Sequence, residues 1–339
     1  MSADWITDLL GGPPPGEGEE VIRHGRQLTG RGGLTRDLEV TDAGQAQTRD
    51  MFGFKWAQRD TYNSKALATA QIDWLNSRYG GRDILDHLGS IGSNKPLVLD
   101  AGAGSGFTAN LMFRSTFPKI RYLGADISTA IDIAAESIEK IAPECFSIQA
   151  DLMHLPFEDG GFDIVMSEGV MHHTPSTRDA LLELARLVRP GGIFAFYVYA
   201  KKAPVREFTD DYIRAQVSDL PPESAWKALE PLTRLGIALG ELKTEIDVPE
   251  DVAVLGIPKG KMDIQRLFYW AICKSYYRPE FSFDEMNHLN FDWFTPKYAH
   301  RQTPDEVKAW CGEAGLIIEH MKTEEAGITT VARRPSPGG

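Results

Sequence analysis

Between residues 96 and 199 the chain alternates short, largely apolar runs with longer segments of helical period. The apolar runs are Pro96–Asp100 (PLVLD), Ile120–Asp126 (IRYLGAD), Phe146–Asp151 (FSIQAD), Phe162–Ser167 (FDIVMS) and Ile193–Tyr199 (IFAFYVY). Between them, Phe107–Phe117, Ser128–Ile141 and Arg178–Val188 repeat apolar residues at helical spacing, as in Ile131, Ala134, Ala135 and Ile138. Fully apolar strands alternating with helices predict an α/β protein with a parallel sheet covered on both faces. The pattern stops near 203 and resumes after 296. Thr303–Ala314 is predicted as a helix, with Thr303 as N-cap and Asp305 and Glu306 in its first turn. Leu316–Lys322 and Gly327–Arg333 then read as two strands joined by a short turn.

The flanking segments follow other rules. Gly11–Gly18 (GGPPPGEG) is a proline–glycine breaker, and Val21–Leu38 has no clear period. Met51–Trp56 (MFGFKW) is a dense aromatic cluster, open to a place in the core or over a ligand. Ser64–Tyr79 reads as a helix ended by Gly80 and Gly81. Residues 203–295 hold helical patterns around Asp210–Leu220, Ser224–Ile246 and Met262–Tyr277, with many aromatics. The expected organisation is therefore an N-terminal segment over 1–66, a sheet domain over 67–202 and 296–335, and a helical cap over 203–295.

Composition narrows the classes. The 339 residues carry a net charge of -12, with 42% hydrophobic and 25% charged residues, the balance of a globular protein with its own core. The acidity disfavours a nucleic-acid partner, DNA above all and RNA with it. Cys145, Cys273 and Cys311 are far apart, which predicts no metal ribbon, no metal site and a reducing, cytoplasmic setting. The N-terminus has no secretory pattern, and no window reaches 18 consecutive apolar residues, so no membrane span is expected.

The densest chemical signal is Val98–Gly106, VLDAGAGSG. An apolar strand ends in Asp100 and runs through Gly102, Ala103, Gly104 and Gly106 into a helix. Glycines there let the backbone bend sharply and approach a ligand. The spacing is G-x-G-x-G and an acid precedes it. A pyrophosphate cradle has no use for that acid, which argues against a dehydrogenase, whereas an ammonium-bearing ligand does. Asp126 ends the next strand, where it can accept both hydroxyls of a ribose. Asp151 ends the third, where it can meet an adenine edge.

These segments, with GADIS (124–128), QADLMHLPFEDGGFDIVMSEGVMHHT (149–174) and LVRPGGIFAFYVY (187–199), resemble class I S-adenosylmethionine-dependent methyltransferases. LPFEDGGFD followed by a strand and a double histidine is similar to UbiE/ubiquinone-type and related small-molecule methyltransferases. The resemblance implies a Rossmann-like, seven-stranded, mostly parallel sheet with an antiparallel last strand. It also implies S-adenosyl-L-methionine as cofactor and S-adenosyl-L-homocysteine as product. On this chain, Asp100 and the Gly102–Gly106 turn would hold the methionine part. Asp126 with Ile127 would hold the ribose, Asp151 with Leu152 the adenine, and Glu168 would stand beside the transferable methyl. Some relatives carry a zinc-ribbon-like segment before a phrase like MFGFKW. Here its cysteines are missing, so 21–40 reads as a degenerate, metal-free ribbon, and Phe52 and Trp56 as candidates to cover the cofactor.

Methyl transfer needs alignment and dryness, plus a base if the acceptor is a hydroxyl. Candidate catalytic groups are Glu168, His172, His173, Tyr199, Tyr298 and His300. The cap holds ten basic and sixteen acidic residues between 203 and 294, a net of -6. That excess points to a cationic or amine-bearing small acceptor, an amine, amino acid or natural-product intermediate, through carboxylate pairing and cation–π contact. Other readings are a tRNA-modifying enzyme, a sugar- or lipid-linked acceptor, and a non-catalytic cofactor-binding subunit. The apolar stretch Leu267–Ile272 is also compatible with a homodimer interface.

Overall fold

A computed structural model of the chain describes residues 4–39, 42–58, 61–79 and 95–336. The expected helix stop at Gly80–Gly81 lies outside the described residues. The central sheet has ten strands in the order β1-β2-β3-β6-β5-β4-β7-β8-β12-β11. Their ranges are β1 Glu20–Arg23, β2 Arg26–Arg31, β3 Leu34–Arg36, β4 Leu97–Ala101, β5 Arg121–Asp126, β6 Cys145–Gln149, β7 Phe162–Glu168, β8 Val188–Tyr199, β11 Ile317–Thr323 and β12 Gly327–Arg333. The strands from β3 through β8 run parallel, and β12 returns antiparallel against β8. This is a Rossmann-like α/β sheet, with the seven expected strands contiguous inside it.

The three additional strands correct the expected count of seven. Residues 20–36 form an antiparallel meander whose last strand pairs in parallel with β6, Thr35 opposite Ile148. The segment read as a degenerate ribbon therefore prolongs the main sheet. Its short strands hide their period because half-buried edge residues alternate weakly. Helix α1 (Asp4–Leu10) buries Ile6, Leu9 and Leu10 against one sheet face.

Alternate residues of the inner strands feed two separate cores. Leu99, Leu123, Val165 and Phe194 face one side, and Val98, Tyr122, Ile164 and Ala195 the other. Each large side chain so buried contributes about 1.5–3 kcal/mol. β8 begins at Val188 rather than Ile193, because a bulge against β7 absorbs the intervening glycines.

The helices are capped as their sequences suggest. Ser64 accepts from the Leu67 amide at the start of α3 (Lys65–Arg78). Thr303 and Glu306 cap each other at the start of the helix Pro304–Glu313. In the cap, the helices Pro204–Val217, Pro222–Glu241 and Phe283–Phe294 pack together beside a hairpin of β9 (Glu245–Val248) and β10 (Gly260–Asp263). Leu267–Ile272 packs among these elements rather than facing outward; Ala271 lies in the cap core and Tyr269 and Trp270 line a cavity. No helix among the described residues is long and apolar enough to cross a membrane.

Gly106 ends the glycine turn at φ +76°, and a Cβ there would come within 3.1 Å of Ile138 and 3.2 Å of Ala134. It lets the helix Phe107–Phe113 pack closely on Ala130–Ile138. Gly106→Ala is expected to cost about 1–3 kcal/mol, read as a lower urea midpoint with an unchanged slope.

Candidate functional site

A cavity of about 390 Å³ opens at the carboxyl ends of β4, β5, β7 and β8. Gly102, Ala103, Gly104, Asp126 and Glu168 form its sheet side. Phe52, Lys55 and Trp56, on helix α2 (Ala43–Ala57), lie across it. Cap residues including Tyr269, Lys274 and Trp293 close the far end. The MFGFKW cluster is thus divided. Phe52 and Trp56 line the cavity, while Phe54 packs on Phe291 and Trp226 of the cap.

The glycine turn is held from beneath. Gly102 (φ +93°) and Ala103 both donate their amides to the Ala125 carbonyl, at 2.8 and 3.0 Å. A Cβ on Gly102 would lie 2.2 Å from Val170, and one on Gly104 2.9 Å from the Trp56 Nε1. The Gly104 amide donates to Asp126 Oδ2 at 2.8 Å. Asp126 Oδ1 accepts from the Ser128 amide and hydroxyl at 2.8 and 2.6 Å. Burial raises the Asp126 pKa, and these bonds oppose the rise. A carboxylate has about four acceptor positions, so Asp126 keeps capacity for a ligand hydroxyl.

The other cofactor candidates are placed differently. Asp100 is buried below the turn, accepts from the Tyr122 hydroxyl at 2.8 Å, and does not line the cavity. Burial pushes its carboxyl up to about 7. Gly106 and Ile127 are also absent from the lining. Asp151 accepts from Gln45 Nε2 at 2.6 Å and from the Met153 amide at 2.9 Å, and Leu152 packs in the core. Helix α2 thereby satisfies Asp151 from a residue 106 positions away, a pairing with no local signal.

The catalytic candidates also separate. Glu168, His173 and Tyr199 line the cavity; His172, Tyr298 and His300 do not. Glu168 is committed on both oxygens, accepting from Arg78 Nη2 at 2.6 Å and from the Tyr79 hydroxyl. His172 is fully buried with its ring stacked 3.6 Å from that of Tyr199, and neither ring nitrogen has a partner among the described residues. His173 Nδ1 meets the Tyr298 carbonyl at 2.7 Å, and its Nε2 makes no hydrogen bond among the described residues. Burial pushes His173 down to about 4, so it is neutral near pH 7. Burial holds the Tyr199 phenol well above its ordinary range. Tyr298 donates to Asp42, and His300 Nε2 meets the Thr174 carbonyl at 3.1 Å.

Residues 99–196 match the family model described as a methyltransferase domain. The topology and this match coincide on the strands that carry the glycine turn, Asp126 and Glu168. Residues 99–196 form a class I methyltransferase domain. Relatives of the chain include the methyltransferase GfsG of Streptomyces halstedii, 32% identical over 39% of this chain and 47% of that one. Another is the mitochondrial arginine-hydroxylase NDUFAF5 of Homo sapiens, 30% identical over 41% of this chain and 37% of that one. A third is the probable tRNA methyltransferase 9B of Mus musculus, 33% identical over 33% of this chain and 24% of that one. The chain thus spans less than half the length of each of these three relatives.

The residues of the methyltransferase domain fit an S-adenosyl group. The Gly102–Gly104 turn lines the cavity beside Trp56 and Val170, and Asp126 retains acceptor capacity in the same cavity. The cap's acidity does not extend to its inner face. The cavity is lined by six basic side chains, Lys55, Lys202, Arg206, Arg266, Lys274 and Arg278, against Asp126, Glu168 and Asp292. Acids such as Asp219, Glu241, Glu245, Asp247, Glu250 and Asp251 are exposed. Sequence reading missed Lys55, Lys202 and Lys274. The signal for Lys274 was a lone cation directly after the apolar run LFYWAIC.

Lys202 and Lys274 are both pushed from 10.5 down to about 7, chiefly by burial. The unfolded chain keeps these protons to higher pH than the folded one, so the cost each lysine imposes on folding fades as pH rises above 7. Thermal melts from pH 7 to 9 are expected to show a smaller alkaline gain in stability for Lys274→Met than for the unaltered chain.

Proposed function

We propose that the chain is an S-adenosylmethionine-dependent methyltransferase acting on a small-molecule acceptor. One observation carries this reading. The glycine turn and Asp126 share one cavity with His173, Tyr199 and the aromatic face of the cap. When bound, the donor supplies an electrophilic methyl on a sulfonium whose leaving group is neutral.

The chain's own residues align the reactants, exclude water and manage a proton. Asp126 and the bare turn hold the donor's ribose and methionine ends. Phe52 and Trp56 shield it from above, as dry, fixed geometry requires. His173 is uncharged, and donation from Nδ1 to the Tyr298 carbonyl leaves the lone pair on Nε2. That nitrogen is buried and without a partner among the described residues, and its lowered pKa makes it a weak base. Tyr199 keeps its proton and serves as a donor. Glu168, already tied to Arg78 and Tyr79, shapes the wall. An RNA acceptor has less support, because the overall charge of -12 opposes a phosphate backbone.

Calorimetric titration with S-adenosylhomocysteine tests the reading. The unaltered chain is expected to bind it, and Asp126→Ala to bind about tenfold to a hundredfold more weakly, the range for a hydrogen bond to a charged group. No binding by the unaltered chain, or equal binding by the variant, overturns the proposal.

A further inference from the structure

The cap end of the cavity carries a charge arrangement that donor binding does not explain. Three cationic groups surround one indole. The Lys274 Nζ lies 4.5 Å, the Arg206 guanidinium 5.4 Å and the Lys202 Nζ 5.5 Å from the Trp293 ring centroid. All four residues line the cavity. Their compensation is unequal. Arg206 donates from Nε to both oxygens of Asp210, at 2.9 and 2.8 Å, and Asp210 also accepts from Trp293 Nε1 at 2.8 Å. Lys202 donates to the Ala326 carbonyl at 2.7 Å and to that of Glu325, and pairs with no carboxylate among the described residues.

Lys274 is the decisive residue. It is only 7% exposed, and its ammonium, with three protons to donate, has no hydrogen bond or ion pair among the described residues. Asp292 is the carboxylate that acts most strongly on it, but Asp292 is paired with Lys55 at 2.5 Å. A buried ammonium without an acceptor destabilises the fold, and an anion delivered into the cavity supplies what is missing. A cationic acceptor would instead add like charge to three cations. The depressed pKa values of Lys202 and Lys274 agree with this crowding.

We propose that the cap end of the cavity is an anion subsite, in which Lys274, with Lys202 and Arg206 around Trp293, binds a carboxylate or phosphate group of the acceptor. The inference rests on the methyltransferase reading for the word acceptor. The subsite itself rests on the side chains alone. An amino acid or an acidic natural product meets the requirement through its carboxylate. A simple amine does not.

The test uses four probes that share a phenyl ring: benzoate, phenyl phosphate, neutral benzamide and cationic benzylamine. Binding to the full chain is followed by tryptophan fluorescence, with and without saturating S-adenosylhomocysteine. Benzoate or phenyl phosphate is expected to bind roughly tenfold or more tightly than benzamide, as for a charge meeting a desolvated partner, with benzylamine weakest. The tighter of the two anions distinguishes a carboxylate from a phosphate site. Lys274→Met is expected to erase the anion preference and Lys274→Arg to retain it, both with unaltered affinity for S-adenosylhomocysteine. The proposal is overturned if benzamide or benzylamine binds the unaltered chain as tightly as the anions do, or if Lys274→Met keeps the preference. The probe series on the unaltered chain decides the matter without any variant. Failure of S-adenosylhomocysteine to bind would count against the methyltransferase reading and leave the anion result standing.

Discussion

A buried ion pair makes the cavity a single structure. Arg78 is 1% exposed and places its guanidinium 2.6 Å from Glu168, at the end of β7. The same group stacks 3.8 Å from the Trp74 ring and 4.1 Å from that of Tyr197, and donates to Thr329. Helix α3, β7, β8 and β12 therefore meet at one charge. Leaving either partner alone in that interior would cost about 3–5 kcal/mol, so helix α3 is bound to the sheet as firmly as a core element. The pair also fixes where Glu168 stands. Arg78 and Tyr79 hold one bond on each of its oxygens at the cavity wall, and each oxygen keeps a further acceptor position.

The cap follows a second rule, the segregation of charge by solvation. Many of its acids stand at the surface, where each is solvated at little cost, while Arg206, Arg266, Lys274 and Arg278 line the cavity with Asp292 as the cap's one acid in the lining. The inner cations are tolerated because the rings and Asp210 compensate part of their charge. The net charge of a segment therefore says little about the face it turns to a ligand, and here the two have opposite signs. The cationic acceptor expected from the sequence rests on the segment's total, whereas the anion subsite proposed above rests on its inner face.

Legibility in the sequence tracked the range of the interactions concerned. The parallel strands, the capped helix after Thr303 and the glycine turn were readable because each depends on neighbours within a few positions. The bonds that hold Asp126 are local, from Ser128 two positions on and from the Gly104 amide of the neighbouring turn. The bond from Gln45 to Asp151 is not, because it comes from a helix far away in sequence. The double histidine shows both cases in adjacent residues. One turn of backbone sends His172 under Tyr199 and His173 to the cavity.

By itself the sequence determined the α/β class, the alternation of parallel strands with helices and the glycine turn after the first of them, since hydrophobic period, capping and glycine backbone freedom are local properties. Only the tertiary structure decided that residues 20–36 extend the sheet, that Glu168 is held by Arg78 and Tyr79, and that Lys274 lies buried without an acceptor. Edge pairing, ion pairing and desolvation each depend on which groups come within a few ångströms across the fold, and no spacing along the chain encodes that.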